Sequence, residues 1–205
     1  DSTPHILHHL KADVNIQTFV DHLKKMNYDN YPSHWNIDNN CQNSSYSEIY
    51  AGTRVPTLDE FLAHCRGRCG AYVEIKDADP YRVLVQVVAQ AMLDDVFFWC
   101  RKTEVLQRIR NLEPKAQLMA TRWMYPSLEA AIAEYQADIV EYELGRDDLT
   151  EIARCQALGV RAMAFSLTHD LSKLQQIEAL NADLVNLDRP DLFKLLKVYP
   201  NRLQR

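Results

Sequence analysis

Two side chains of opposite charge lie two residues apart in a short β-prone run from Tyr72 to Lys76. Side chains alternate between the two faces of a strand, so Glu74 and Lys76 point one way and Val73 and Ile75 point the other. A charged inner face behind an apolar outer face is typical of the carboxyl end of a parallel-barrel strand, where active sites lie. The same alternation also fits an edge strand whose salt-bridged charges face solvent.

Length and composition indicate one globular domain. The chain has 205 residues, 47% of them hydrophobic and 25% charged, which is enough for a sizeable core. The net charge of −5 offers no basic surface for nucleic acid. No apolar run approaches the roughly 18 residues that span a membrane, and no signal peptide is visible.

The cysteines indicate thiols rather than disulfides or a metal site. There are five, an odd number, and their spacing is irregular. Cys65 and Cys69 have helical spacing that would suit a metal, but no second Cys or His pair completes the set. Reduced thiols favour a cytoplasmic location.

From Thr57 onward the pattern alternates between strands and helices. Thr57 to Glu60 forms a capping box, and Asp79-Pro80 opens another helix. The pattern predicts six β-then-α units, with strands at 72–76, 96–100, 116–120, 138–142, 160–165 and 183–187, and helices at 79–93, 103–112, 127–135, 147–158, 170–180 and 190–197. Such alternation indicates a parallel sheet. Uniform unit length and the lack of a Gly-rich first turn favour a closed barrel over an open doubly wound sheet.

We expect residues 1–205 to form a single barrel domain in which 11–50 is a divergent loop or cap. In a barrel the active site lies where strands end and helices begin. Candidates at those ends are His8, His9, Glu74, Lys76, Trp99, Cys100, Thr121, Arg122, Trp123, Glu141, Glu143, Ser166, Thr168, His169, Asp188 and Arg189. A carboxylate, a lysine and histidines at one rim would suit metal-assisted attack on a phosphate or acyl centre.

Taken singly, most of these residues also fit a structural role. Glu141 and Glu143 are expected to flank a solvated turn. Arg189-Pro190 is expected to cap the last helix.

Four runs resemble the glycerophosphodiester phosphodiesterases. Arg54 to Glu60 followed by Tyr72 to Lys76 is similar to the family's Ile/Val-Pro-Thr-Leu-x-Glu helix start and its Glu-Ile/Leu-Lys strand. Leu158 to Leu167 is similar to the family's Gly-Val and Trp-Thr-Val-Asn strand. Ala182 to Asp191 is similar to the closing Asp-Gly-Ile-Ile-Thr-Asp-x-Pro-Asp segment. The resemblance extends from about Ala51 to Leu196.

Upstream, Asp1 to His9 is similar to the family's Asp-Gly-x-Pro-Val-x-x-His-Asp strand. This places His8 on a catalytic histidine, and His9 replaces the usual Asp. The family's Arg-Thr-Thr segment is absent, and residues 11–45 do not follow the family.

The resemblance implies a TIM-type (β/α)8 barrel that hydrolyses glycerophosphodiesters to glycerol 3-phosphate and an alcohol, with Ca²⁺ or Mg²⁺. By the same resemblance Glu74 is a metal ligand, Lys76 holds the phosphate and His8 is a general acid or base. The chemistry is consistent, because hard divalent cations prefer carboxylate oxygens. An imidazole titrates near neutral pH and can move the proton.

Two family motifs have no counterpart here. These are His-Arg-Gly, with a second catalytic histidine and a phosphate-binding arginine, and Glu-x-Asp, with two more metal ligands. We therefore expect a barrel that is incomplete on its N-terminal side, in a fragment beginning at Asp1. One alternative is a non-catalytic relative that binds a phosphate ligand or a protein partner. Another is an unrelated lyase with a Schiff base on Lys76, which the neighbouring Glu74 argues against.

Overall fold

The computed structural model describes residues 5–6 and 56–198, with side chains from 56 to 196. Seven parallel strands form one sheet: β1 His5–Ile6, β2 Ala71–Glu74, β3 Val96–Trp99, β4 Gln117–Thr121, β5 Ile139–Glu143, β6 Arg161–Ser166 and β7 Leu184–Leu187. Seven helices accompany them: α1 Leu58–Cys65, α2 Pro80–Ala89, α3 Thr103–Leu112, α4 Leu128–Ala133, α5 Glu151–Ala157, α6 Leu171–Ala179 and α7 Pro190–Val198.

The strand order is β1-β7-β6-β5-β4-β3-β2, and every strand pairing among the described residues is parallel. Each strand from β2 to β7 is followed by a helix, so the predicted alternating α/β fold is confirmed. Within the described residues no pairing joins β1 to β2, and the sheet is an open parallel half-barrel. The predicted segment 11–50 lies outside the described residues.

The two faces of the sheet bury different clusters. The inner face carries one buried apolar side chain from each strand β2 to β7: Tyr72, Phe97, Met119, Ile139, Met163 and Leu184. The outer face packs against the helices and includes Val73, Phe98 and Val140. This period-two division is the one expected of a parallel sheet with helices outside and a site inside.

Local sequence signals begin most helices as predicted. Thr57 and Glu60 form the capping box of α1, with the Glu60 N–H donating to Thr57 Oγ1 at 3.3 Å and the Thr57 N–H donating to Glu60 Oε2 at 2.9 Å. Asp79 accepts from the Tyr81 N–H at 3.1 Å at the start of α2. Helix α2 ends at Ala89, earlier than predicted, because Ala91 adopts a left-handed φ of 53°.

One helix start was predicted wrongly. Helix α5 begins at Glu151 rather than at Asp147. The Asp147 carboxylate accepts from the Glu143 N–H at 2.7 Å, and Asp148 accepts from the Thr150 N–H at 3.0 Å. Short acidic side chains compete with helical hydrogen bonding in this way, so residues 147–150 form turns instead.

The helices among residues 56–198 include none with both the length and the apolar composition needed to cross a bilayer.

Arg110 on α3 holds together the loops at the amino-terminal end of the sheet. Its guanidinium donates to the carbonyl oxygens of Pro114 and Ala116 at 2.7 and 2.8 Å, and to those of Tyr135 and Gln136 at 3.2 and 2.8 Å. It also donates to Asp138 Oδ2 at 2.6 Å. The side chain is only 14% exposed, and its bonds to Ala116, Tyr135 and Asp138 are partly buried.

Arg110→Ala should lower the free energy of unfolding by about 2–3 kcal/mol, because it leaves partly buried carbonyls and a carboxylate without their donor. Urea denaturation measures the loss. Arg108→Ala is the matched control on the same helix, since Arg108 is 57% exposed and only pairs with Asp79 at 3.5 Å. We expect that control to cost less than about 1 kcal/mol. Equal losses for the two variants would contradict the assigned role of Arg110.

Candidate active site

Glu74 and Lys76 meet at the carboxyl end of β2. Lys76 Nζ lies 3.0 Å from Glu74 Oε1. Glu74 is only 8% exposed as a residue, whereas the Lys76 side chain is 41% exposed. The Ile75 N–H donates to the Trp99 carbonyl at 2.8 Å, which continues the β2–β3 ladder past the last strand residue. The burial of Glu74 argues against the alternative of a wholly solvated salt bridge.

A second polar cluster lies on the inner face and joins three strands. Thr121 on β4 donates from Oγ1 to Glu141 Oε2 at 3.4 Å, and Asn186 on β7 donates from Nδ2 to Glu141 Oε1 at 3.1 Å. All three residues are buried. Each stands two residues beyond a member of the apolar inner cluster, so the polar group forms the next layer toward the carboxyl ends of the strands. We call these three residues the Glu141 cluster.

Burial raises the pKa of Glu141 to about 7, and the hydrogen bonds from Asn186 and Thr121 only partly offset that shift. The negative charges of Glu143 and Asp147 raise it further. A carboxyl group in a low-dielectric interior prefers its neutral form unless donors or cations compensate. Glu141 therefore changes charge in the range where a catalytic or binding group is useful.

The prediction that Glu141 flanks a solvated turn was wrong. The residue lies inside β5 and is 7% exposed. The available signal was the alternation of Ile139, Glu141 and Glu143, which repeats the apolar-then-acidic order of Tyr72 and Glu74 on β2. Both strands place an apolar residue in the inner cluster and a carboxylate two residues later.

Tyr72 connects the two acidic groups electrostatically. Burial raises the pKa of Tyr72, and the negative charges of Glu141 and Glu74 raise it further. Its ring stacks on Phe97 with 4.8 Å between the ring centroids. Glu74 and Glu141 both lie on the inner face, and the Tyr72 phenol stays neutral near neutral pH.

The remaining rim residues are mostly engaged in contacts with one another. Arg122 donates from Nε to Glu151 Oε2 at 2.6 Å, and this carboxylate raises the pKa of Arg122. The guanidinium of Arg146 lies 3.6 Å from the ring centroid of Trp123 and 3.3 Å from Glu143 Oε2. These contacts stabilise the loops that follow β4 and β5.

The other predicted positions divide between buried and exposed sites. Ser166 and Thr168 are buried near the end of β6, whereas His169 and Asp188 are exposed. Arg189 pairs with Asp191 at 2.6 Å. Trp99 is partly buried and Cys100 is buried at the end of β3. His8 and His9 lie outside the described residues.

Within residues 56–196, no three His, Cys, Asp or Glu side chains are grouped so as to hold a metal ion. Cys65 and Cys69 are free thiols, and burial raises the pKa of Cys65 to about 11, so that thiol stays protonated near neutral pH. The Glu74–Lys76 ion pair also removes the apolar setting that a Schiff-base lysine needs.

The chain is similar in structure to several solved proteins. A glycerophosphodiester phosphodiesterase from Agrobacterium tumefaciens matches 68% of the chain at 32% sequence identity, with a TM-score of 0.61. The chain resembles the glycerophosphodiester phosphodiesterase family. It spans 61% of the length of the Agrobacterium protein. No family model and no curated protein matches the chain.

Solved phosphodiesterases of lower sequence identity share the fold. One from Parabacteroides distasonis is 16% identical over 80% of this chain and 74% of its own, with a TM-score of 0.61. A phosphodiesterase from Oleispira antarctica, solved in complex with its product sn-glycerol-3-phosphate, is 17% identical over 72% of this chain and 63% of its own, again with a TM-score of 0.61. The resemblance inferred from the sequence motifs is therefore confirmed.

Glu141 should make stability depend on pH. Its folded pKa of about 7 lies above the ordinary value of 4.5, so the folded state binds its proton more tightly than the unfolded state. The free energy of unfolding must then fall between pH 4.5 and 7, by up to about 3 kcal/mol. Glu141→Gln should remove this pH dependence. Its free energy of unfolding should therefore fall less between pH 5 and pH 7.5 than that of the wild type.

Urea denaturation of both proteins at the two pH values provides the measurement. Glu178→Gln, at an exposed carboxylate on α6, is the control and should follow the wild type. An identical pH dependence in wild type and Glu141→Gln would show that the Glu141 carboxyl is not held in a low-dielectric environment.

Proposed function

We propose that this chain is part of a phosphodiesterase that hydrolyses glycerophosphodiesters to glycerol 3-phosphate and an alcohol. The observation that carries the proposal is the Glu74–Lys76 pair at the carboxyl end of β2, within a chain that is 32% identical to a glycerophosphodiester phosphodiesterase. The relative gives the reaction class, and the pair supplies groups suited to a phosphate ester.

Lys76 is proposed to hold the phosphate. Its side chain is 41% exposed at the rim, and the ammonium can turn from Glu74 toward an arriving anion. A lysine acts on phosphate as a point charge with three donors, so it tolerates changes in the geometry of the ester. The cation offsets part of the charge that develops on the phosphoryl oxygens.

Glu74 is proposed to be a ligand of a divalent metal, Ca²⁺ or Mg²⁺. The described residues offer this one carboxylate beside the phosphate position and no complete set of protein ligands. That is compatible with Mg²⁺, which is commonly bound by one or two carboxylates together with substrate phosphates and water. When bound, the cation would neutralise charge on the phosphoryl group.

Proton transfer is proposed for His8, which lies outside the described residues. Water supplies the hydroxyl that joins phosphorus, and the bond from phosphorus to the alcohol oxygen breaks. The leaving alkoxide needs one proton and the attacking water loses one, so the reaction as a whole consumes only water. An imidazole with a pKa near neutrality serves either transfer.

The whole protein is proposed to be a TIM-type barrel, to which the described residues contribute seven strands. Residues 1–205 form one domain in this proposal. The edge strands β1 and β2 would each pair with a further strand when an eight-stranded barrel closes, because open parallel edges leave backbone groups unpaired.

A second function is binding of phosphate esters without turnover. It is favoured by the lack of a complete ligand set among residues 56–196. Lys76 alone would still attract a phosphate at the rim, and such a protein would bind the ester with or without metal.

The first experiment measures release of glycerol 3-phosphate from glycerophosphocholine with Ca²⁺, with Mg²⁺ and with chelator. We expect release that requires a divalent metal. Glu74→Gln should reduce it to background, because the amide loses the charge that binds the metal. Lys76→Gln should raise KM more than it lowers kcat, since the lysine holds the ground-state phosphate as well.

Glu178→Gln on α6 is the control and should retain wild-type turnover, with circular dichroism verifying that every variant is folded. Full turnover by Glu74→Gln would refute the metal-ligand assignment. No turnover by folded wild type, together with phosphate-ester binding that is lost in Lys76→Gln, would favour the second function.

A further inference from the structure

The Glu141 cluster has no part in the chemistry proposed for Glu74, Lys76 and His8, yet it lies on the same inner face of the sheet as Glu74. Glu141, Thr121 and Asn186 are 7%, 4% and 6% exposed. A buried carboxylate is costly unless donors surround it, so a protein that only needed a packed interior would do better with an apolar residue. Its position on the inner face, toward the carboxyl ends of the strands where barrels bind their ligands, points to a ligand.

The oxygen atoms of the cluster can accept more hydrogen bonds than the described residues donate to them. Each oxygen of Glu141 accepts one bond, from Asn186 or from Thr121. An ionised carboxylate can accept about four bonds in all, so acceptor capacity remains on both oxygens. The hydroxyl oxygen of Thr121 and the carbonyl of Asn186 add further acceptors. Such a surface suits a ligand group that is rich in donors.

We propose that the Glu141 cluster binds the hydroxyl groups of the glycerol moiety and thereby selects glycerophosphodiesters over simple alkyl phosphate esters. This inference rests on the proposed function. Two hydroxyls on adjacent carbons can donate to the two oxygens of one carboxylate, which is a pairing that an alkyl chain cannot make.

The position of Glu141 relative to Glu74 supports this assignment. Both carboxylates stand two residues beyond the apolar inner cluster, Glu74 after Tyr72 and Glu141 after Ile139. Both carboxylates therefore lie on the inner face of the sheet, in the layer next to the apolar cluster. A phosphate held at the rim by Lys76 would then leave the three-carbon portion of the ligand to extend toward Glu141.

The neighbours of Glu141 favour a neutral donor over a charged one. A phosphate would be repelled by the carboxylate. An ammonium would face the amide hydrogens that Asn186 directs at Glu141, and burying its charge costs far more than burying a hydroxyl. Hydroxyls satisfy the open acceptors without adding net charge.

The test compares binding of three phosphate monoesters by calorimetry at pH 8 in Mg²⁺ buffer: sn-glycerol 3-phosphate, propyl phosphate and phosphoethanolamine. Wild type should prefer glycerol 3-phosphate over propyl phosphate by about tenfold or more, the effect of hydrogen bonds to a charged group. Glu141→Gln should abolish that preference while leaving propyl phosphate affinity unchanged. Glu143→Gln, two residues along the same strand, should retain it.

Glu141→Asp is the second variant, in case Glu141→Gln does not fold. It keeps the charge but withdraws the carboxylate by one methylene, and we expect an intermediate preference. A preference that survives both substitutions would overturn the inference, as would an equal loss of propyl phosphate binding. Tighter, Glu141-dependent binding of phosphoethanolamine would overturn it in favour of an ammonium ligand.

The outcomes also separate this inference from the proposed function. Binding of all three esters without discrimination by the wild type would refute the role of Glu141 and leave phosphate recognition at Lys76 in place. Failure of the wild type to bind any of the three would overturn both.

Discussion

Burial of one apolar side chain from each of six neighbouring strands is the constraint on which the site depends. The inner cluster, running from Tyr72 on β2 to Leu184 on β7, fills the base of the half-barrel and excludes water from it. Any polar group in the next layer contacts this apolar, low-dielectric cluster, where burying an unpaired charge costs considerable free energy. The contacts made by Glu74 and Glu141 follow from that cost.

The negative charges of the two carboxylates are stabilised by different partners, and each kind of partner suits a different ligand. Glu74 is paired with the ammonium of Lys76, an exposed cation that is free to exchange partners. Glu141 is paired with a hydroxyl and an amide, both neutral and both fixed on strands. The first arrangement suits charged chemistry at a phosphate, and the second suits recognition by hydrogen bonds. Burial raises the pKa of Glu141 to about 7, although its two hydrogen bonds lower it.

Sequence signals that act over three or four residues predicted the fold well. The capping box at Thr57 and the aspartate cap at Asp79 are present as expected. The start of α5 was missed, because Asp147 and Asp148 bond to nearby backbone and postpone the helix. Periodicity finds the apolar side of an element, but it does not show which short polar side chains will compete with the helix.

The site was predicted less completely than the fold. Glu74 and Lys76 stood out because their charges alternate with valine and isoleucine in a strand-like run. Glu141 was among the rim candidates, but its expected place beside a solvated turn was wrong. Acidic residues near a Gly-Arg-Asp-Asp turn usually face solvent, and the burial of Glu141 depends on pairing between β5 and its neighbours. Long-range pairing also brings Asn186 to Glu141 from 45 residues away, which no local pattern reports.

The central claim is that the carboxyl ends of these strands bind a glycerol phosphate, and amide chemical-shift mapping tests it most directly. Titration of labelled protein with sn-glycerol 3-phosphate in Mg²⁺ buffer should shift amides near Glu74 and Lys76 and near Glu141 and Asn186. Amides around Arg110, at the opposite end of the sheet, should not move. Shifts confined to the Arg110 end, or none at saturating ligand, would contradict the account.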